Sequence, residues 1–179
     1  MNIDTTIIVQ VRTNSTRFPK KQFAYIGDYQ LIGWVIQRLS ILEVNFNIIY
    51  CIPEGPDDDE LNNTLKLKGK KIYRGSEKDV LTRLYRSSKS YKDSNYFVRV
   101  CPDNPFLDSR SIVKLIKHTK ENNLDYSFNH LSKLGSNHSD GFGAECFSKK
   151  TFDIINKNAT GSQREHVTKF IWDNYNKLY

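Results

Sequence analysis

Apolar positions along this chain follow two alternating rhythms. Short runs rich in β-branched or aromatic residues occur at 7–11, 46–52, 70–73, 97–101, 126–129 and 144–148. The first of these, with Ile7, Ile8, Val9 and Val11, is nearly continuous, as expected of a parallel strand covered on both faces. Between them the apolar spacing changes to one, three and four. Leu31, Ile32, Val35, Ile36, Leu39 and Leu42 predict an amphipathic helix over 30–42, and Val80, Leu81, Leu84 and Tyr85 predict another over 77–90, capped by Ser76. A further helix is predicted over 109–122. Asp57, Asp58, Asp59 and Glu60 open a helix as well, where acidic side chains suit the positive end of the dipole. Strands alternating with helices at this spacing predict a three-layer α/β/α, Rossmann-like domain with a mainly parallel sheet.

Composition narrows the setting. A chain of 179 residues is expected to form one domain, burying about 70% of its unfolded surface without covalent staples. Cys51, Cys101 and Cys146 are odd in number and widely spaced, with no C-x-x-C pair. That usage predicts a reducing, cytoplasmic setting and no zinc. No signal peptide and no bilayer-length apolar stretch is visible, so no membrane is expected as a partner. Net charge is +7, with cations clustered at 12–21, 66–74 and 83–92. No helix-turn-helix, zinc-finger or aromatic RNA-binding pattern accompanies them, which favours a small anionic substrate such as a nucleotide over a nucleic acid polymer.

The candidate chemistry is concentrated where the first apolar run breaks into a polar loop. Arg12, Arg17, Lys20 and Lys21 fall within ten positions, with the hydroxyls of Ser15 and Thr16 and the turn formers Asn14 and Pro19. A loop of this kind at the carboxyl end of a strand can cradle a polyanion: backbone N–H groups form a nest, Arg grips two phosphate oxygens and Lys supplies a compact charge. A solvated basic loop is the alternative reading. Asp103 follows the fourth predicted strand at the same carboxyl edge and is the candidate ligand for Mg²⁺, a hard cation that needs a carboxylate plus phosphate oxygens and waters. An acid in a proline-flanked turn is the plainer account. The acidic run at 57–60 could imitate a metal site but is read as a helix start, because one helical turn splays neighbouring carboxylates. His130 and His138 lack a third ligand at a suitable spacing. Gly141 and Gly143 lack the remainder of a dinucleotide fingerprint, and no Walker pattern occurs.

The loop Q-V-R-T-N-S-T-R-F-P-K-K resembles the opening loop of the cytidylyltransferases that make CMP-activated sugar acids, especially the spore-coat polysaccharide branch related to the acylneuraminate and 3-deoxy-manno-octulosonate enzymes. Arg12, Ser15, Arg17, Pro19 and Lys21 match its R-x-x-S-x-R-x-P-x-K pattern. Asn14 stands where the family usually has Gly or Ala, a mild change because Asn tolerates positive φ, and Lys20 stands where Gly is usual. V-R-V-C-P-D-N-P-F-L-D is similar to the family's strand ending in G-D-x-P-L-I-D, with Pro102 in place of a Gly. Further similarities are R-G-S-x-x-D-V-L around Arg74 and Asp79, G-L-D-x-E-x-F-S around Glu145, and R-E-H-V-T at 164–168.

These similarities imply a nucleotidyltransferase fold and a Mg²⁺-dependent transfer of CMP from CTP to a sugar acid or similar anionic acceptor, with release of pyrophosphate, in surface-glycan biosynthesis. They imply that Arg12 and Lys21 are catalytic, that Arg12, Ser15, Arg17, Lys21, Arg74 and Asp79 bind nucleotide, and that Asp103 holds the metal. Asn104, Glu145, Arg164, Glu165 and His166 are implied on the acceptor side. Asp79 also reads as a first-turn helix acid, and His166 as a partner of a core carbonyl. Gly143 stands where the family often has Asp, and the D-T-x-E-D segment expected to donate a second metal-binding carboxylate is not found before Tyr179. The resemblance allows a homodimer. The rival reading is a nucleotide-binding or assembly domain that has lost catalysis.

Overall fold

The computed structural model describes residues 3–15, 17–101, 103, 105–130 and 143–175. Strand β1 (Thr5–Gln10) is followed by a small hairpin, β2 (Tyr25–Ile26) and β3 (Tyr29–Gln30), and by helix α1 (Leu31–Ser40). Then come β4 (Asn47–Pro53), α2 (Asp59–Leu67), β5 (Ile72–Gly75), α3 (Val80–Ser88), β6 (Tyr96–Val100) and α4 (Ser109–Glu121). The remainder comprises β7 (Tyr126–Phe128), β8 (Glu145–Ser148), α5 (Lys149–Asn158), the short α6 (Ser162–Glu165) and α7 (Lys169–Asn174).

The main sheet has six strands in the order β5-β4-β1-β6-β8-β7. β1 pairs in parallel with β4 and β6, and β4 with β5, whereas β8 runs antiparallel to both of its neighbours. The three-layer, mainly parallel architecture expected from the sequence is therefore present. Alternation along β1 explains the layers. Ile7 and Val9 join a core with Ile32 and Val35 of α1, Leu61 of α2 and Ile112 of α4. Ile8 points the other way, into a core with Leu81 and Leu84 of α3, Phe152 of α5 and Ile171 of α7. Successive strand side chains face opposite sides, so a strand that serves both cores must be apolar throughout.

The chain runs outward from β1 to β4 and β5, then returns to lay β6 on the other side of β1. In open α/β sheets this reversal leaves a crevice outside the carboxyl ends of the strands. One helix start differs from expectation. The helix expected from residue 77 begins at Val80, because Asp79 is its N-cap, accepting from Thr82 N at 2.9 Å. Ser76 instead accepts from the Asp79 N–H at 3.0 Å and shapes the turn before it. The β2–β3 hairpin and α5 are additions that the apolar pattern did not predict. Among the described residues no helix is long and apolar enough to cross a membrane, and the three cysteines are free.

Candidate active site

The cationic loop leaves β1 at Gln10 and is fastened from behind by the acidic run. Val11 N donates to Cys51 O at 3.1 Å, and Thr13 N donates to Asp58 Oδ1 at 2.7 Å. Asn14 Nδ2 reaches Asp57 Oδ2 at 2.7 Å and Lys20 Nζ reaches Glu60 Oε2 at 3.0 Å. The acidic run thus opens α2, as expected, and in addition clamps the loop. Asn14 does not use the positive φ it was expected to tolerate. That conformation belongs to Lys20, at φ 53°, where the family usually has Gly.

Beyond the carboxyl ends of β1 and β6 lies a cleft of about 190 Å³. Arg12, Ser15, Arg17 and Lys21 line one wall and Asp103 the other, with Glu165 and His166 reaching in from the end of α6. Lys21 Nζ meets Asp103 Oδ2 at 2.6 Å across it. The lysine side chain is 19% exposed and the carboxylate 59%, so the carboxylate is the more accessible member of the pair. Seven of the expected site residues, drawn from three distant parts of the chain, are thus brought together.

Four others do not line this cleft. Arg74 binds inward, with Nη1 on Asp59 Oδ1 at 2.6 Å, Nη2 on Gly55 O at 2.7 Å and Nε on Pro53 O at 3.2 Å. Asp79 caps α3 and pairs with Arg164, whose Nε lies 2.8 Å from Asp79 Oδ2. Glu145 is buried, and its carboxylate accepts from Arg99 Nη1, from the Tyr126 hydroxyl at 2.8 Å and from Thr168 Oγ1 at 2.7 Å. Glu145, expected on the acceptor side, is thus held by internal donors and does not line the cleft. The Arg164 guanidinium, expected on the same side, is likewise engaged by the protein itself. Thr16, Asn104 and the segment 131–142, which contains His138, lie outside the described residues.

Sequence reasoning missed Gln10, Arg99 and Cys101, which line the cleft together with Val80 of the R-G-S-x-x-D-V-L stretch. Arg99 carried a readable signal, since a charge inside the apolar run F-V-R-V-C must be paired if the strand is central. Its Nε donates to Gln10 Oε1 at 2.8 Å while Nη1 meets Glu145. Burial pushes the Glu145 carboxyl up, but the Arg99 guanidinium and the Thr168 hydroxyl outweigh it and hold the group below the usual glutamate range. For Asp79, too, burial pushes upward and the Arg164 and Thr82 hydrogen bonds pull further down. A larger cavity of about 360 Å³ between β7, α5 and α7 is lined by Phe128, Ile154, Phe170 and Trp172 and brings no cluster of charged groups together.

A cationic loop facing a carboxylate across the crevice of a parallel sheet suits an anion whose charge changes during reaction, and comparison with known proteins agrees. The cytidylyltransferase family profile matches residues 6–168. The chain is 32% identical to the uncharacterized protein MJ1063 of Methanocaldococcus jannaschii, over 94% of this chain and 67% of that one. It is 28% identical to the spore coat polysaccharide biosynthesis protein SpsF of Bacillus subtilis, over 98% of this chain and 72% of that protein. To the 3-deoxy-manno-octulosonate cytidylyltransferase of Rickettsia prowazekii it is 31% identical over 69% of this chain and half of that enzyme. In fold it is similar to a cytidylyltransferase of Leptospira borgpetersenii, with a TM-score of 0.88 at 24% identity over 98% of this chain and 73% of that one. It is also similar to a CMP:2-keto-3-deoxy-manno-octonic acid synthetase complexed with CTP, with a TM-score of 0.69 at 11% identity over 96% of this chain and 86% of that one. The family's profile thus spans the cationic loop, the facing carboxylate and the segment that carries Glu165 and His166 alike, and the chain belongs to the cytidylyltransferase family.

Proposed function

We propose that the cleft binds CTP and transfers CMP to a hydroxyl of a sugar acid or similar anionic acceptor, releasing pyrophosphate. The observation that carries this reading is the convergence of Arg12, Ser15, Arg17 and Lys21 with Asp103 and His166 in one crevice. The similarity to a spore coat polysaccharide biosynthesis protein and to a 3-deoxy-manno-octulosonate cytidylyltransferase supports a sugar-acid acceptor used in polysaccharide biosynthesis. In the reaction the acceptor oxygen forms a bond to the α-phosphorus as the bond from that phosphorus to the α,β-bridging oxygen breaks, and pyrophosphate leaves with the electron pair. Arg12 and Lys21 neutralise the charge that builds on the phosphates, a stabilisation that acts most strongly in a water-poor cleft. Glu165 and His166 orient the acceptor, and the His166 imidazole takes the hydroxyl proton. Arg99, fixed by Gln10 and Glu145, forms the cationic floor beneath them.

The donor set fits Mg²⁺ of a particular kind. Among the described residues no group of three His, Cys, Asp or Glu side chains forms a cation cage, yet Asp103 offers an exposed carboxylate directly opposite the cationic loop. A single carboxylate with phosphate oxygens and waters suits an ion that arrives with its triphosphate. Bound there, it would supply further charge neutralisation at the phosphates.

The test is calorimetric titration of CTP in the presence of Mg²⁺, with ATP, GTP and UTP as controls, followed by pyrophosphate release with a panel of 2-keto-3-deoxy sugar acids. Selective CTP binding, weakened in Arg12→Ala, and acceptor-dependent release are expected. Lys21→Ala should lower turnover by about 10² to 10³ while leaving the fold intact. CTP binding without release for any acceptor would turn the assignment toward a non-catalytic nucleotide-binding domain.

A further inference from the structure

Asp79 and Arg164 were assigned by resemblance to opposite substrates, the first to the nucleotide and the second to the acceptor. The structure joins them. Besides the 2.8 Å bond from Nε to Asp79 Oδ2, Arg164 Nη2 donates to Thr82 Oγ1 at 2.6 Å, and Nη1 donates to Ala159 O at 3.1 Å and Asn156 O at 3.3 Å. All three guanidinium nitrogens therefore serve contacts within the protein. Asp79 is shared: Oδ1 caps α3 through Thr82 N, while Oδ2 takes both Arg164 and the Thr82 hydroxyl, at 2.8 Å each.

Residues 162–166 are otherwise fixed mainly through Gln163, whose Nε2 donates to Asp173 Oδ2 at 2.9 Å and whose Oε1 accepts from Thr160 N at 3.1 Å, and through Lys169 N on His166 O at 2.6 Å; none of these bonds reaches α3. Helix α6 is four residues long with no buried residue, and it is entered through Gly161 at φ 51°. Yet the next two side chains after Arg164, those of Glu165 and His166, reach the cleft, as does Val80 at the start of α3. One ion pair thus ties the wall formed by α3 to the wall formed by α6, across 85 residues of sequence.

The geometry points to Arg164 as a positioning residue: with Asp79 it docks α6 on the first turn of α3 and so sets Glu165 and His166 in the cleft. This inference rests on the cytidylyltransferase reading for the identity of what those two side chains meet. A guanidinium suits the task because its planar donors can hold a carboxylate, a hydroxyl and two carbonyls at once, which Lys cannot do. Displacement of a substrate-orienting group by about 1 Å can cost up to about a hundredfold in rate.

The experiment compares the unaltered chain with Arg164→Met, Asp79→Asn, His166→Ala and the Arg164→Met/His166→Ala double variant. Asn at position 79 preserves the cap while removing the charge. Three quantities are measured: amide hydrogen exchange over 162–168, CTP affinity without acceptor, and the KM and kcat of transfer to 2-keto-3-deoxy sugar acids. Arg164→Met and Asp79→Asn should each speed exchange over 162–168 while leaving that of β1 and β6 unchanged. They should raise the acceptor KM about tenfold or more and leave CTP affinity within about threefold. In the His166→Ala background, Arg164→Met should add little, because residues acting through one another are non-additive. Unchanged exchange over 162–168, fully additive effects on the acceptor KM, or a parallel loss of CTP affinity would overturn the assignment. If the unaltered chain binds CTP but transfers to no sugar acid, the acceptor reading fails, and the exchange measurement still decides whether Arg164 docks α6.

Discussion

At Lys20 a long, flexible side chain sits on a left-handed backbone, φ 53° and ψ 25°, immediately before the cation that faces Asp103. That conformation costs an L-residue about 1–2 kcal/mol, and the exposed bond to Glu60 returns at most about 1 kcal/mol. Lys20→Gly should therefore raise stability slightly, by about 1 kcal/mol or less, equal to a few degrees in thermal melting. Gly143 presents the opposite case. A Cβ there would lie 2.2 Å from Asn129 Oδ1 and 2.6 Å from His130 Cβ. Asn129 Oδ1 cannot yield freely, since it accepts from Ala144 N at 2.7 Å. Gly143→Ala should destabilise by about 1–3 kcal/mol, and Gly143→Asp by more, visible as a lower melting temperature. Restoring the carboxylate that the family often carries at this position is therefore not a route to a second metal ligand in this chain. The absence of Asp was legible in the sequence. Its cause was not, because it lies in the packing of the end of β7 against the start of β8.

Among the elements, the strands were the most legible, because a strand shared by two cores has to be apolar on both faces. Helix starts were less so. Ser76 and Asp79 are both good caps, and the choice between them depended on Arg164, which is remote in sequence and locks Asp79 in place. Arg74 and Glu145 match the family's motifs but bind inward, and local sequence does not say which way a side chain at a strand end will turn. Glu145 joins four elements at once: Arg99 of β6, Tyr126 of β7, Thr168 before α7 and, through Arg99, Gln10 of β1. Arg99→Met alone should cost about 3–5 kcal/mol, because it leaves a buried carboxylate without its cation. Arg99→Met/Glu145→Met should recover most of that loss, since apolar replacement of both partners of a buried pair is often neutral. Chemical denaturation of the two variants checks the difference.

For the whole molecule, several carboxylates are held below their usual range by partners remote in sequence. Glu145 is one, Asp79 is another, and at Asp4 burial pushes upward while the Lys120 and Thr5 hydrogen bonds pull further down. A depressed carboxyl contributes stability that is fully present above its unfolded value, about 4, and is lost as pH falls through the folded value. Thermal melting should therefore be flat from neutrality to about pH 5 and fall steeply below about pH 4. Glu145→Gln should start from a lower plateau and show a shallower acid limb.

The contact between Lys21 and Asp103 gives the resting cleft a counterion of its own making. Entry of a triphosphate is then an exchange, in which an internal partner is surrendered before an external one is gained. On the proposed reading, a triphosphate arriving without a divalent cation would leave Asp103 uncompensated for the lysine it gives up, and the cleft would discriminate against it. Asp103→Asn would remove that penalty and should bind cation-free CTP about two- to fivefold more tightly than the unaltered chain, while losing the gain that the proposed Mg²⁺ would bring.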